Sequence, residues 1–588
     1  MPRVGERLAI VGLLFATPVA VVVTAGGYYW WAENVKEEPR LVARRAVNPR
    51  YDPAEQVRRA WQEPPPELVL AFSGQMYGYL QPCGCSRPQV GGLERRYELT
   101  QRLRQFGWPV VGFDLGDLAR LRYEIKQGVP ALVEQARLKY ETAWKMLHHL
   151  GWQAVGLGPE ELLFPLEEVL GWALNTRPPT LIGTNLDWPE MHEVAAYQRF
   201  LLLEIPTDLS PSSPSQLLVP QPIFSTSPGA AASSGRSSPR RTWRVACLSV
   251  IQESQLKKLR EQAPKELLQR FSPAEVALAN AWRDLSRRRP NLVILLHHGT
   301  PEEAKQLAQK FGWIHIIVNR DETDVASTLA DELPSAGLDS LPNYPSFLNR
   351  LLIRVGHKGK AVGLVAVRSS RSPSFPDPDA LPAYRFDYRM VELIESLEPI
   401  SDGSNPVREL MKEYVYQVYA RQLLQQWVAQ RQVSHQQQLD QPGAAFVGAA
   451  ACAECHRSAC QVWNNSKHSQ AYAALAKYGQ PHIVLQRNGR SVTIGRQYDP
   501  ECLICHTTGF EYKTGFRSET ETPHLLANGC ENCHGPASLH VQFPKEAKYW
   551  QPLQRKASAN LCISCHDSEN DPHFDFAKYW PKIMHKKD

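Results

Sequence analysis

Cys452-Ala-Glu-Cys455-His456 is the first of four C-x-x-C-H sequences near the end of the chain, followed by Cys502-Leu-Ile-Cys505-His506, Cys530-Glu-Asn-Cys533-His534 and Cys562-Ile-Ser-Cys565-His566. This spacing is the attachment signature of c-type haem. The two thiols can add to the two vinyl groups of one haem, and the following histidine then lies under the iron as its proximal ligand. Four matches in one segment predict four covalently bound c-type haems, held by these cysteines and histidines.

Zinc knuckles and disulfides are the other uses of closely spaced cysteines. A structural zinc site needs a closed set of four ligands, usually two separated pairs. Here each cysteine pair is followed at once by a histidine, which favours haem. Nine of the 12 cysteines lie between Cys452 and Cys565, so the cofactor-rich part of the chain is confined to its C-terminal end.

Histidine is the expected ligand on the opposite face of each haem. The only methionine in the C-terminal module is Met584, so methionine cannot serve several irons. We predict His468, His540 and His585 as distal ligands, with His524 as the fourth candidate. His540 follows His534 across the break at Gly535, so we expect it to reach a neighbouring haem. Ligation by two histidines favours low potentials, and closely packed haems form an electron relay.

Composition limits the function classes that fit the rest of the chain. The 588 residues are 43% hydrophobic and 21% charged, which is enough for three or four ordinary domains. The net charge is only +6. A nucleic-acid binder usually concentrates Lys and Arg on one face, so we expect no nucleic acid as a partner.

An apolar run from Leu8 to Trp31 is long enough to span a bilayer. Arg3 and Arg7 precede it, and acidic residues follow it, which places its start in the cytoplasm. We therefore predict a signal anchor at 1–31, making the protein single-pass in the inner (cytoplasmic) membrane with the bulk of the chain in the periplasm. A cleaved signal peptide is the alternative.

The remaining organisation follows from composition and periodicity. We expect a linker at 32–66, an α/β layered domain at 67–395, a connecting helix and linker at 396–446, and a mostly helical haem domain at 447–588. A Ser- and Pro-rich stretch at 206–241 predicts a disordered insertion. Expected strands are 68–72, 109–113, 153–157, 180–184, 243–250, 291–297, 313–318, 351–355 and 361–367. Expected helices are 92–105, 129–150, 274–288 and 301–311.

The C-terminal segment resembles the tetrahaem cytochrome c-554 family. The resemblance rests on CAECHRSACQVWNNSKHSQAY, YDPECLICHTTGF, GCENCHGPASLH and CISCHDSENDPHFDFAKYWPKIMH, within 447–588. It implies a mostly helical fold around four stacked haems. It also implies electron transfer, in some members between hydroxylamine-oxidising or other nitrogen-cycle partners and the quinone or cytochrome pool. One haem of that family can lack a sixth protein ligand.

The 67–395 segment resembles 5'-nucleotidase-like metallophosphoesterases through GYLQPCGCSRPQVGGLERR (78–96), VGFDLGDL (111–118), AVGLGPEEL (154–162), IGTNL (182–186) and VILLHHG (293–299). The implied fold is a double sheet flanked by helices, with two metals held by Asp and His. The family has three metal-binding motifs, D-x-H, G-N-H-E and G-H-x-H. At the corresponding positions, 74–76, 158–161 and 318–321, this sequence has other residues. The surviving ligands are Asp117, Asn185 and His297 or His298. We expect no working hydrolase and no second metal, because scattered ligands rarely hold a dinuclear centre.

Four further cysteines lie outside the repeated motif. Cys83 and Cys85 could form a soft-metal site, a redox pair or a structural disulfide with partners elsewhere. Cys247 lies in an apolar strand and is expected to be a buried thiol, and Cys460 is expected to pack on a haem.

The sequence predicts a membrane-anchored periplasmic electron-transfer cytochrome rather than an enzyme, and no catalytic residue is assigned. Its expected partners are redox proteins or quinone-linked membrane complexes. One alternative is a multihaem oxidoreductase acting on a small nitrogen or sulfur compound at an open haem. The other is a metal-dependent 5'-nucleotidase fused to a haem relay.

Overall fold

The structure is a computed structural model, and it describes residues 35–36, 52–82, 90–121, 129–189, 194–206, 242–321, 323, 327–334, 346–370, 383–398, 405–430, 433–478, 481–487, 490–554, 558–567, 570–571 and 573–585. The anchor at 1–31, Cys83, Cys85 and nearly all of the 206–241 insertion lie outside these residues. Within the described ranges, no helix combines the length and apolar character needed to cross a bilayer.

Seventeen strands occur in the described residues. In chain order they are β1 Val35–Lys36, β2 Leu68–Ser73, β3 Val110–Asp114, β4 Trp152–Gly156, β5 Thr180–Ile182, β6 Tyr197–Gln198, β7 Phe200–Pro206, β8 Thr242–Ile251, β9 Leu292–His298, β10 Ile316–Asn319, β11 Asp331–Leu333, β12 Ser346–Phe347, β13 Arg350–Arg354, β14 Ala361–Ser370, β15 Ala383–Glu392, β16 Ile483–Arg487 and β17 Arg490–Ile494.

The α-helices of the described residues are, in chain order, α1 Pro53–Ala60, α2 Leu93–Gln105, α3 Pro130–Leu150, α4 Leu166–Asn175, α5 Glu253–Lys258, α6 Lys265–Leu268, α7 Ala274–Arg287, α8 Pro301–Lys310, α9 Pro406–Ala420, α10 Leu423–Gln430, α11 Gln436–Asp440, α12 Ala449–Ala453, α13 Arg457–Asn464, α14 Ala471–Tyr478, α15 Pro500–His506, α16 Cys530–His534, α17 Ser538–Gln542, α18 Ala547–Trp550, α19 Ala559–Cys562 and α20 Phe576–Tyr579.

Two mixed sheets pack face to face in the N-terminal domain. The first has the order β12-β15-β14-β2-β3-β4-β5-β6, and the second has the order β11-β13-β10-β9-β8-β7. Phe72 and Phe113 of the first sheet share one apolar cluster with Ile294 and Leu296 of the second. Strand β2, parallel to β3 and antiparallel to β14, is buried along its whole length, as expected for a strand covered on both faces. The α/β fold class expected from the sequence is therefore present.

Each strand and helix expected from the sequence in this domain has a counterpart within a few residues. The sequence missed β15, whose residues alternate between buried and exposed and include several arginines. It also missed β7 and α4, and the β16–β17 hairpin that interrupts the helical C-terminal region. Strand β1, close behind the apolar N-terminal run, pairs with β16 and so adds an edge to that hairpin.

The connecting segment ties the two domains together. Its apolar stripe forms two helices, α9 and α10, and the chain turns between them at Gln422, whose φ is 54°. Buried residues of α3, α10 and the haem domain belong to a single apolar cluster that includes Leu132, Trp427 and Phe510. The stretch expected to be a linker also holds helix α11, and Gln437 there is buried and donates to the Pro536 carbonyl.

Candidate haem sites

Three pairs of histidine rings face each other in the C-terminal domain. The ring centroids of His456 and His540 are 6.1 Å apart. Those of His468 and His566 are 6.0 Å apart, and those of His534 and His585 are 5.9 Å apart. Each pair joins one histidine of a C-x-x-C-H sequence to one of the three residues ranked first as distal ligands.

This spacing fits one metal ion between two imidazoles. A metal–nitrogen bond of about 2 Å, plus about 1.1 Å from that nitrogen to the ring centroid, separates two opposite ligand rings by about 6.2 Å. The three observed separations lie within a few tenths of an ångström of that value. The histidines present therefore fit an iron ligated from both sides.

Burial keeps several of these imidazoles in the neutral form that binds metal. It lowers the pKa of His468, and the neighbouring His566 lowers it further. Burial is also the largest cause of the lowered pKa of His540 and His534. A ring that is neutral at pH 7 offers a free nitrogen lone pair without first losing a proton.

The second ring nitrogen of three proximal histidines is fixed by a hydrogen bond. Nδ1 of His506 donates to the Ala471 carbonyl at 2.7 Å, and Nδ1 of His534 donates to the Gln554 carbonyl at 2.6 Å. Nδ1 of His566 donates instead to the carboxylate of Asp571 at 2.8 Å. Such partners leave Nε2 as the lone-pair nitrogen and set the direction of each ring.

Each attachment sequence lies on or beside a helical turn. Helices α15 and α16 end at the proximal His506 and His534, and the backbone N–H of His566 donates to the Cys562 carbonyl at 2.9 Å. Residues one turn apart lie on the same face of a helix. The first cysteine and the histidine of such a sequence therefore point the same way, as attachment to one haem requires.

Contacts between thiols show which attachment sequences are neighbours. The thiols of Cys452 and Cys460 lie close enough to the Cys530 thiol to lower its pKa. The Cys505 thiol likewise lowers the pKa of Cys565, which places these two thiols close together. The first sequence thus adjoins the third, and the second adjoins the fourth.

The third and fourth attachment sequences are also close to each other. Burial raises the pKa of Cys533 to about 11, with further contributions from the Cys562 and Cys565 thiols. Together with the thiol pairs, this proximity gives a spatial order of second, fourth, third and first sequence. Cys460 is also buried. Its packing on a haem, expected from the sequence, stays a prediction.

His524, the fourth distal candidate, lies apart from these pairs. Its side chain is exposed on a short 3-10 turn, and its carbonyl packs against Gly448. This position gives no support to His524 as a distal ligand, which stays a prediction.

A buried carboxylate that the sequence analysis did not single out links the first and third sequences. Glu531 accepts hydrogen bonds from the backbone N–H groups of Val447, Gly448 and Ala537 at distances between 2.7 and 3.0 Å. Its position inside C-E-N-C-H hid this role, because the two residues between the cysteines are variable in the attachment signature. Glu531 fixes the chain that leads into Cys452 against helix α16.

Helix α3 of the N-terminal domain contacts the helix that carries the second attachment sequence. Asp499 caps α15 by accepting from the N–H of Glu501. Nε2 of the buried Gln135 on α3 donates to the same carboxylate at 2.7 Å and to the Tyr414 hydroxyl at 2.9 Å. Lys139 on α3 also forms an ion pair with Glu501. The N-terminal domain therefore supports the start of α15 directly.

A separate polar cluster occupies the strand ends of the N-terminal domain, where the resemblance to phosphoesterases would place metals. The guanidinium of Arg320 donates to the Tyr77 hydroxyl at 3.1 Å and to Oε1 of Gln255 at 2.9 Å. Gln75 donates to the same hydroxyl and accepts from the N–H of Asp321. Side chains from both sheets thus form hydrogen bonds with each other in this cluster.

The surviving ligand candidates are used mainly in this internal bonding. Asn185 exchanges hydrogen bonds with the backbone of Ile251 and donates to the Ser272 carbonyl. Nδ1 of His297 donates to the Asn319 side chain. Only His298 and Asp117 face each other, with Nδ1 and Oδ2 3.7 Å apart. Burial is the largest cause of the lowered pKa of His298, and the nearby positive charge of Arg320 lowers this pKa further.

No group of three or more His, Cys, Asp or Glu side chains in the described ranges is arranged to hold a metal ion. For the N-terminal cluster, the residues present do not fit the two-metal centre that the family resemblance implies. In the C-terminal domain, the paired histidines fit haem.

Comparison with known proteins supports the haem assignment. The family model "Cytochrome c554 and c-prime" matches residues 451–535. Cytochrome c-554 of Nitrosomonas europaea is 32% identical over 96 residues, which are 16% of this chain and 39% of that protein. The chain thus spans about two fifths of this relative. The family implies covalently bound c-type haem, and the count of four stays a prediction.

Solved structures similar to the chain include the 5'-nucleotidase precursor of Thermus thermophilus, at 14% identity and a TM-score of 0.41, covering 75% of this chain and 74% of that one. The NAD nucleotidase of Haemophilus influenzae follows at 15% identity and a TM-score of 0.39, covering 65% and 64%. The C-terminal segment of this chain is similar to the cytochrome c-554 family, as its attachment sequences indicated, and it is joined to a two-sheet α/β domain.

Proposed function

We propose that this protein is a tetrahaem c-type cytochrome that transfers electrons between redox partners. The observation that carries the proposal is the set of three histidine pairs, His456–His540, His468–His566 and His534–His585, at the separation that a shared iron requires. Bound haem supplies a one-electron ferric/ferrous couple at each attachment sequence. The chain's own contribution is to hold the ligands rigidly and close together.

The eight cysteines and four histidines of the attachment sequences would hold the haems covalently. His540, His468 and His585 would complete the ligation at the first, fourth and third sequences. Thiol proximity supports a relay in the order second, fourth, third and first. The second and first sequences would then be the two ends at which partners deliver and remove electrons.

The N-terminal domain would act as a support for the second attachment sequence rather than as a hydrolase. Two features favour this role. Gln135 and Lys139 of α3 hold the N-terminus of α15. Arg320 also places a cation among the polar groups of the phosphoesterase-like cluster, where a metal ion would have to displace it.

Location and partners follow from the apolar N-terminal run. We place the protein in the inner membrane through residues 8–31, with its domains in the periplasm, since covalent attachment of c-type haem suits an exported chain. Its partners would be redox proteins or quinone-linked membrane complexes. The pairing of Val35 with Leu485 would keep the haem domain near the end of the anchor.

Low-spin and high-spin ferric signals in electron paramagnetic resonance (EPR) test the proposal. Replacing His540, His468 or His585 with glycine should convert one low-spin haem to high spin in each variant, because one axial ligand is lost. His573→Gly, at an exposed histidine of the same domain, should leave the spectrum unchanged. Ligand variants indistinguishable from His573→Gly would contradict the assigned pairs.

The same spectra separate electron transfer from the alternative oxidoreductase. A high-spin signal in the unmodified protein that changes when hydroxylamine or nitrite is added would favour chemistry at an open haem. A spectrum that is insensitive to both compounds would favour the relay alone.

A further inference from the structure

The fourth attachment sequence differs from two others in the group that contacts its proximal histidine. Nδ1 of His566 donates to a carboxylate, Oδ2 of Asp571, whereas His506 and His534 donate to neutral backbone carbonyls. A hydrogen bond to an ionised acceptor is roughly twice as strong as one between neutral groups. The hydrogen bond from Nδ1 is therefore stronger in His566 than in His506 and His534.

Asp571 is placed so that its charge acts on the histidine. Its side chain is 8% exposed, which limits screening by water. Among the described residues, its second oxygen, Oδ1, has no hydrogen-bond partner. The only ion pair that the structure gives this carboxylate, within the same residues, is the one with His566. The charge is thus directed at one imidazole rather than shared in a network.

The orientation of the His566 ring has a second support that does not depend on the carboxylate. The ring of Phe574 stacks on the imidazole with centroids 4.7 Å apart and planes inclined by 20°. The backbone N–H of Phe574 donates to the Asp571 carbonyl, and the Asp571 N–H donates to the Asp567 carbonyl. Backbone bonds and stacking hold the ring in place, so the charge of Asp571 can be removed while the geometry remains.

We propose that Asp571 is a positioning residue that lowers the reduction potential of the haem held by Cys562, Cys565 and His566. The carboxylate increases electron donation from His566, which stabilises the ferric state relative to the ferrous state. The step concerned is the gain of one electron from a neighbouring relay member and its later loss to another. This inference rests on the proposed tetrahaem relay.

The position of the fourth attachment sequence within the proposed relay suggests a use for a lowered reduction potential. The thiol contacts place the fourth sequence between the second and the third. An interior member with a lowered potential holds an electron only briefly and passes it to either neighbour. Electrons then reside at the ends of the relay, where partners exchange them.

Potentiometric titration of the full-length holoprotein at one fixed pH tests the inference. Asp571→Asn keeps the size and an acceptor oxygen but removes the charge. We expect one of the macroscopic potentials to rise by an amount equal to a roughly tenfold change in the reduction equilibrium, which is 59 mV for one electron. The EPR signal of that haem should remain low-spin but shift, since both axial histidines are kept.

Asp567→Asn is the matched control, because it makes the same charge change in the same loop at a carboxylate that accepts hydrogen bonds from Asn570. Asp571→Glu should return the potential toward that of the unmodified protein. Potentials in Asp571→Asn that match those of Asp567→Asn would overturn the inference. Loss of one haem in Asp571→Asn would also overturn it, because the carboxylate would then serve assembly. Neither result would refute the relay itself, which fails only if the unmodified chain lacks the haems.

Discussion

Replacing Gln135 with glutamate would place two carboxylates side by side in the contact between the domains. Nε2 of Gln135 lies 2.7 Å from Oδ1 of Asp499, and the two side chains are 0% and 2% exposed. At that separation, two negative charges repel each other by about 6 kcal/mol for an effective dielectric constant of about 20. Holding a proton on Glu at pH 7 costs only about 3.7 kcal/mol, from an unfolded pKa of about 4.3. The folded variant should therefore keep the proton.

The sign of the pH dependence follows from this raised pKa. Below pH of about 4.3 the new acid is protonated in both states, so it adds no pH-dependent penalty. As the pH rises above that value, the unfolded chain ionises first. The free energy of unfolding of Gln135→Glu, relative to the unmodified protein, should fall by about 1.4 kcal/mol per pH unit until the folded pKa is reached. Between pH 5 and pH 7 the expected loss is about 2.7 kcal/mol.

Urea unfolding at several pH values measures this loss. The Soret band reports on the haem domain and far-ultraviolet circular dichroism reports on the whole chain. Gln135→Met, which removes the same hydrogen bonds without adding an acid, should lose a constant amount of about 1–3 kcal/mol at every pH. Parallel pH profiles for the two variants would refute the close contact between Gln135 and Asp499.

Three other substitutions test separate contacts. Trp427→Ala removes a buried ring stacked on Phe510 at a centroid separation of 4.2 Å and should cost about 3–5 kcal/mol, with the Soret and circular dichroism transitions shifting together; an unchanged urea midpoint would contradict the shared core. Glu531→Gln replaces the carboxylate that accepts from three backbone N–H groups and should cost about 2–3 kcal/mol in the same assay; a loss below about 0.5 kcal/mol would count against that role. Arg320→Leu should destabilise the protein by about 2 kcal/mol without creating a metal site, and stoichiometric manganese or zinc in the unmodified protein by elemental analysis would contradict the proposal that Arg320 stands where a metal ion would have to displace it.

The sequence was informative where a single local pattern determines the structure. Strands such as β2 and β9 each begin with five consecutive apolar residues, because both of their faces are covered. Strand β15 escaped prediction because its exposed face carries Arg385 and Arg389, and its place is set by pairing along the whole of β14. Pairing between strands distant in sequence leaves little trace in local composition.

The haem-binding residues also divide into those that a local pattern predicts and those that depend on contacts between distant segments. The attachment sequences are local, and the lack of suitable methionines indicated histidine as the distal ligand. The sequence could not pair His540 with His456 or His585 with His534, because these pairs depend on how distant segments fold together. Asp571 was equally hidden, since one aspartate in an acidic loop gives no sign that it contacts His566.

Quantifying haem per chain most directly tests the central claim. The full-length protein, matured in a host that attaches c-type haem, would be assayed by its pyridine haemochrome spectrum against protein concentration from amino-acid analysis. Four attachment sequences predict four c-type haems per chain. A reproducible value well below four in fully matured protein, or a colourless product, would contradict the tetrahaem relay.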